Sequence, residues 1–316
     1  MVRFGWTVTV SFVLVLCTRE GSDAKEAWPF NAKRVLFIGD SITAAGHYVA
    51  TLEAQLRIAL RSAAPEVINL GLPSETCSGL SEPDHPFPRP DVHERLDRAL
   101  TKVKPDLVVA CYGMNDGIYY PFSLERFEAY QKGIQKLIDQ VHDIGAKLIL
   151  MTPPAFDPLP LKKQGKLLPR GAEKYAWFAI YENYDQEVLQ RYAGWIMEQR
   201  EQVEMVIDLH SAVSKYVSTK RKQDADFTMS PDGVHVNREG HAVLADAIWR
   251  AWGHEQLVEL KSESIKLVEE RQTILHSAWL SYVGHQRPGM EPGLPLAEAQ
   301  RKAAEMERDI NKWLTP

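Results

Sequence analysis

The chain alternates short apolar runs with longer stretches in which apolar positions recur every three or four residues. Residues 35–38 form a continuous apolar run that stops at Gly39, as expected of a strand covered on both faces in a parallel sheet. Four similar runs follow: 66–71 ending in Gly71, 106–112 ending before Gly113, 147–152 cut off by Pro153 and Pro154, and 203–208 ending in Asp208. Helical patterns lie between them. In 47–61 the positions Leu52, Leu56, Ala59 and Leu60 share one stripe. Residues 91–102 read as a polar helix, and 123–144 as a longer one. In the latter Ser123 is the N-cap, Phe127, Tyr130, Ile134, Leu137 and Val141 are the buried stripe, and Gly145 is the stop. The spacing predicts a long helix over 175–201 and a last body helix over 238–252. Residues 72–90 and 155–174, rich in loop-forming types, read as a loop and as an insertion over the strand ends.

Strands alternating with helices imply βαβ crossovers, hence an α/β fold with a central parallel five-stranded sheet and helices on both faces. From 256 onward the pattern is helical only. Val268, Leu275 and Tyr282 repeat every seven residues, 287–295 carries three prolines and two glycines, and 296–313 is helical again. This predicts a C-terminal helical extension, a hairpin packed on the α/β body, with a dimer contact or a lid over the site as the alternatives. The expected division is a leader over 1–24, an α/β body over 25–255 and the hairpin over 256–316.

The first 24 residues have the pattern of a cleaved signal peptide: Arg3, an apolar segment over 5–17, and the small-residue end Ser22, Asp23, Ala24. They point to a secreted or periplasmic protein. Cys17 would suit a lipid anchor, but Leu16 stands where such signals take a small residue. The segment is too short and too soon interrupted to span a bilayer. Of three cysteines, Cys77 and Cys111 would survive cleavage. A bridge between them and two separate buried thiols both fit an oxidising compartment. No disulfide scaffold is implied, and no Cys-x-x-Cys pair suggests zinc. Hydrophobic residues make up 45% of the chain, enough for a large core. A net charge of -5 offers no basic footprint for nucleic acid.

The first run delivers Ser41 to the carboxyl end of its strand, where ligands sit in open α/β sheets. A serine there also serves simply to cap a helix, so its partners decide. A hydroxyl becomes a nucleophile when a base stands within hydrogen-bond reach and donors face the developing negative charge. His235 and Asp232 supply base and orienter, three residues apart across a Pro/Gly-bearing turn. The imidazole exchanges protons near neutrality, with an ordinary pKa of about 6.5. Gly71, lacking a side chain, and the amide of Asn115 would join the N–H of Ser41 as three donors of an oxyanion hole. Taken singly, Gly71 is a turn glycine and Asn115 an Asx-turn residue. Pairing His235 with His241 as metal ligands is disfavoured, because six residues is not a helix-face ligand spacing. The chemistry calls for no metal and no cofactor.

Taken in order, Gly39-Asp40-Ser41-Ile42, Gly71, Gly113-Met114-Asn115-Asp116 and Asp232-Gly233-Val234-His235 resemble the four blocks of the SGNH (GDSL-type) hydrolase family. The resemblance covers roughly residues 34–252, with Ile42 where the family usually has Leu. It implies a flavodoxin-like three-layer α/β/α sandwich with Ser41 as nucleophile, Gly71 and Asn115 in the oxyanion hole, and Asp232 and His235 completing the triad. Gly39 to Thr43 is not Gly-x-Ser-x-Gly, so the strained elbow of ordinary α/β-hydrolases is not implied.

The expected activity is that of a secreted serine esterase working through an acyl-enzyme. A polar strand-end rim without a long apolar run for an acyl chain favours a carbohydrate O-acetylesterase acting on a small-molecule or glycan ester. Trp177, Trp195, Tyr119 and Tyr120 are candidates for stacking on sugars, although aromatics at such spacings also build cores. A lysophospholipase or thioesterase on the same triad, and a sugar-binding protein without turnover, are the alternatives. No membrane span is expected, and the oligomeric state is open.

Overall fold

Val35, Leu36 and Phe37 have no exposed surface and Ile38 has 1%. A strand this apolar on both sides needs cover on both faces. In the computed structural model, which describes residues 1–2 and 31–314, β1 (Arg34–Gly39) lies between β2 (Glu66–Asn69) and β3 (Leu107–Cys111). Beyond β3 come β4 (Lys147–Met151) and β5 (Met205–Ile207), and every neighbouring pair is parallel. The order β2-β1-β3-β4-β5 is the flavodoxin-like winding, whose switch point lies between β1 and β3. The leader expected over 1–24, with Cys17, lies outside the described residues except for Met1 and Val2.

The body helices of eight residues or more are α1 (His47–Leu60), α2 (Leu96–Val103), α3 (Leu124–Asp143), α4 (Gln190–Glu198), α5 (Leu209–Arg221) and α6 (Arg238–Ala251). Helix α1 packs on α6, and α2 on α3. As expected, Ser123 caps α3 by accepting the N–H of Arg126, and Tyr130, Ile134, Leu137 and Val141 are buried. Gly145 follows with φ +74°, a conformation glycine adopts freely. Cys77 and Cys111 are separate buried thiols.

Two helical expectations change. The helix expected over 175–201 begins only at Asp185, as a π-type turn over Asp185–Leu189 that runs into α4. Ahead of it the chain runs through turns and a two-residue strand, Ile180–Tyr181, because its backbone is used elsewhere. The N–H of Tyr181 donates to Tyr119 and that of Glu182 to Leu168, while Ile180–Tyr181 pairs with Leu167–Leu168. Helix α5 was not foreseen. Asp208, read only as the end of a strand, is its N-cap and accepts the N–H of Ser211 at 2.9 Å.

The C-terminal hairpin is α7 (Ser262–Val283) and α8 (Leu296–Leu314), packed on each other. Helix α7 also lies on α1 and β2. Val268 packs with Ala50, Ala54 and Ile310, and Leu275, Ala278, Trp279, Leu280 and Val283 join the main core. Tyr282 departs from its expected place in the seven-residue stripe. It is 48% exposed, and Lys102 Nζ sits over its ring. A straight helix drifts about 20° per heptad, enough to carry a third repeat off the buried face. No helix among the described residues is long and apolar enough to cross a membrane.

Candidate active site

The last residue of β1 must be glycine, because a Cβ on Gly39 would meet Thr43 Oγ1 at 2.3 Å and the Cys111 carbonyl oxygen at 2.8 Å. The chain turns at once into a one-turn helix, Ser41–Ala44, capped by the Asp40 carboxylate on the N–H of Ile42 at 2.9 Å. Ser41 is the first residue of that turn, among the positions whose N–H has no partner within the helix.

The Asp232–His235 turn meets it from the start of α6. Ser41 Oγ lies 2.8 Å from His235 Nε2, and His235 Nδ1 lies 2.6 Å from Asp232 Oδ2. An ionised carboxylate only accepts, so Nδ1 carries the ring proton and Nε2 is left to accept from the serine hydroxyl. Asp232 Oδ1 accepts the N–H groups of Val234 and His235 at 3.0 and 2.7 Å, which locks the turn. Desolvation alone would raise the Asp232 pKa. The hydrogen bonds and charge of His235, with the N–H of Val234, overcome it and hold the carboxyl at about 2. The bond to Asp232 in turn raises the His235 pKa above its usual value, against desolvation, with the charges of Asp232 and Asp40 adding to it.

The turn is held from behind by the segment after β4. Gly233 has φ +80°, and a Cβ on it would meet Phe156 at 2.5 Å. The N–H of Asp157 donates to the Gly233 carbonyl at 2.8 Å. Asp157 itself receives Arg221 through both carboxylate oxygens, at 2.8 and 2.7 Å, and Thr228 Oγ1 at 2.6 Å.

Asn115 follows β3, the neighbour of β1, and is 4% exposed. Its Oδ1 accepts the Tyr119 hydroxyl at 2.8 Å and its Nδ2 donates to the Glu75 carbonyl at 3.1 Å. This fixes the amide's orientation and leaves one N–H for a ligand. Gly71 departs from the expected role. Its N–H is engaged by Asn69 Oδ1 at 2.8 Å, and Asn69 Nδ2 donates to the Thr43 carbonyl at 2.8 Å. Glycine is required there for closeness, since a Cβ would meet Ala44 N at 2.3 Å and Thr43 C at 2.6 Å. Two of the three expected donors therefore stay available, on Ser41 and Asn115.

Around these lie residues to which the sequence pattern gave no role in the catalytic geometry. Ser74, Ile118 and Tyr119 have φ of 69°, 46° and 62°, strained values for non-glycine residues, and all three sit in the loops that hold Asn115. Asp116 Oδ1 accepts the N–H groups of Cys77 and Ser78 at 2.8 and 2.7 Å, tying the 72–90 loop to the end of β3. Burial pushes the carboxyls of Asp40 and Asp116 up to about 6. Arg89, paired with Glu82, lies over the ring of Tyr119. Of the proposed sugar-stacking aromatics, Tyr119 is buried, Tyr120 packs on Tyr175, and Trp195 packs against Phe127 and Tyr130. Trp177 is 50% exposed beside Phe178. His241 stacks on Tyr48 and meets His47 edge-on, and burial pushes its pKa down to about 3. Among the described residues no group of three or more His, Cys, Asp or Glu is arranged to hold a metal ion.

Residues 37–243 match the model of the GDSL-like lipase/acylhydrolase family. The chain belongs to that family. As a GDSL-type acylhydrolase it is a serine hydrolase acting on carboxylic ester bonds. Solved structures share the GDSL fold at low identity. A gut microbial diltiazem-metabolizing enzyme aligns with 70% of this chain at 17% identity and a TM-score of 0.55. The chain spans about half of that protein, 47%. Axe2, an acetylxylan esterase from Geobacillus stearothermophilus, aligns over 72% of this chain and 97% of its own, with 22% identity and a TM-score of 0.51. The acetyl xylan esterase AlAXEase covers 69% of this chain and 98% of its own, at 22% identity and a TM-score of 0.51. Comparison with curated protein sequences finds no match.

Proposed function

We propose that this protein is a secreted carbohydrate O-acetylesterase with Ser41 as its nucleophile. Ser41 Oγ attacks the ester carbonyl carbon as its proton passes to His235 Nε2. The carbonyl oxygen takes up negative charge facing the N–H of Ser41 and the remaining N–H of Asn115. Collapse breaks the ester C–O bond and the sugar oxygen leaves with the proton from His235, giving an acetyl-serine. Water, deprotonated by the same ring, then attacks that ester, and acetate departs as Ser41 regains its proton. Asp232 keeps the ring in the tautomer that both steps need.

The observation that carries this reading is the continuous Asp232–His235–Ser41 hydrogen-bond relay, at 2.6 and 2.8 Å. Sugar binding alone requires no such alignment. The acetyl-sugar assignment is supported by the openness of the site. The side chains of His235 and Asp232 are 52% and 55% exposed. An open polar rim suits a bulky hydrated alcohol carrying a small acyl group, whereas a long acyl chain needs an apolar cleft. The fold is shared with acetylxylan esterases, and this reading places the substrate in the same class. The secretion proposal rests on the leader pattern over 1–24.

The test is acetate release from acetylated xylan and other acetylated glycans, beside p-nitrophenyl esters of increasing acyl length, for the native protein and Ser41→Ala. Expected are turnover of acetyl glycans, a fall in kcat/KM with chain length, and a loss of at least about 10³-fold in Ser41→Ala. A preference for long acyl chains would overturn the carbohydrate assignment. Undiminished turnover in Ser41→Ala would overturn the mechanism.

A further inference from the structure

Helix α7 lies wholly beyond residue 243, where the family match ends. Three polar side chains along it reach the chain segments that build the site. Glu269 Oε1 accepts from Arg238 Nη1 and from His47 Nδ1, each at 2.8 Å, and its Oε2 accepts from Arg238 Nη2 at 2.9 Å. Arg238 opens α6, three residues after His235. His47 opens α1, six residues after Ser41. One turn further along α7, Gln272 donates to the Val67 carbonyl of β2 at 3.1 Å and to the buried carboxylate of Glu53. After another turn, His276 Nε2 donates to the Gly71 carbonyl at 2.8 Å. Positions 269, 272 and 276 fall on one helix face.

We propose that α7 braces the active site, with Glu269 as a positioning residue that couples the segment bearing Ser41 to the segment bearing His235. The inference rests on the reading of Ser41 and His235 as the reacting pair. Glu269 touches neither of them. It receives, on one carboxylate, a residue from each of the two segments whose separation sets the Ser41–His235 contact. A two-pronged Arg–carboxylate contact fixes direction as well as distance. The pair does little for global stability, since the Arg238 side chain is 64% exposed. Reaction geometry is far less tolerant: a shift of about 1 Å in a reacting group can cost on the order of 10²-fold in rate. The brace should therefore appear in kcat before it appears in folding.

The experiment compares Glu269→Ala, Arg238→Ala and the double variant. It reads steady-state p-nitrophenyl acetate hydrolysis, the rate of fluorophosphonate labelling and the thermal midpoint, with Ser41→Ala as control. For Glu269→Ala, kcat and labelling rate should fall by about tenfold, with KM within twofold and the midpoint little changed. The double variant should be no worse than the stronger single one, as expected of two ends of one contact. Glu269→Gln keeps the volume and an acceptor oxygen, so it should lose less; it also serves if the alanine variant fails to fold. A kcat within twofold of native in Glu269→Ala or, where that variant does not fold, in Glu269→Gln would overturn the brace. So would additive losses in the double variant, or a loss that merely follows the folded fraction. Turnover persisting in Ser41→Ala would instead remove the catalytic reading beneath it, whereas an inactive Ser41→Ala beside a normal Glu269→Ala would remove only the brace.

Discussion

His235 can accept the proton of Ser41 only while its ring is neutral, so the proposed reaction has a built-in pH dependence. The hydrogen bond to Asp232 raises the ring's pKa above its usual value, aided by the charges of Asp232 and Asp40. The profile of kcat/KM against pH should therefore rise through a pKa above about 6.5 and then level off. In Asp232→Asn the carboxylate charge is gone, so the rising limb should move toward acid while the plateau drops by about 10²–10⁴-fold. A limb that stays in place would contradict the assignment of His235 as base. Linkage gives Asp232 its own sign: with its carboxyl held at about 2 in the folded protein, its stabilising contribution is present above the ordinary value of 3.8 and is lost as pH falls through 2. That Ser41, His235 and Asp232 come together was legible in the sequence, because a hydroxyl, an imidazole and a carboxylate able to form such a relay admit few residue types. The engagement of Gly71 was not legible, since a glycine at a strand end looks the same whether its N–H faces a substrate or, as here, the side chain of Asn69 two residues earlier.

Elements were legible where burial and capping left marks in the residue pattern. The apolar runs marked all five sheet strands, and Ser123 and Gly145 bounded α3. The region 175–201 misled because Tyr175, Ile180, Tyr181 and Tyr184 are buried, a pattern compatible with a helix, yet backbone bonds to Tyr119 and Leu168 tie Tyr181 and Glu182 into a short strand and turn before Asp185. Helix α5 was missed because Leu209, Val213 and Val217 make a thin stripe in a polar sequence, and Asp208 ends a strand and caps a helix at once. The closeness of two elements also sets a prediction. Gly71→Ala would drive a methyl into the backbone at Thr43 and Ala44, at 2.6 and 2.3 Å, and backbone cannot swing aside as a side chain can. Stability should fall by about 1–3 kcal/mol in denaturant unfolding, and kcat should fall with it as the Ser41 turn is displaced. Native stability together with native turnover would contradict that packing.

At the scale of the whole molecule, the winding order explains why residues so far apart in sequence converge. Ser41 leaves β1 and Asn115 leaves β3, the two strands that flank the switch point, while His235 arrives from the segment between α5 and α6. The fold class was legible because the alternation of strand and helix admits few topologies. The contacts of α7 with His47 and Gly71 were not, since they join residues 222 and 205 positions apart and depend on how the hairpin docks. In the proposed reaction Ser41 is the one residue that becomes acylated. The most direct test of that assignment is intact-mass and peptide mapping after brief exposure to a fluorophosphonate, for the native protein and for His235→Ala. The expected result is a single adduct on Ser41, formed rapidly in the native protein and slowed by at least about 10²-fold in His235→Ala. An adduct on another residue, or labelling at Ser41 that is indifferent to His235, would contradict it.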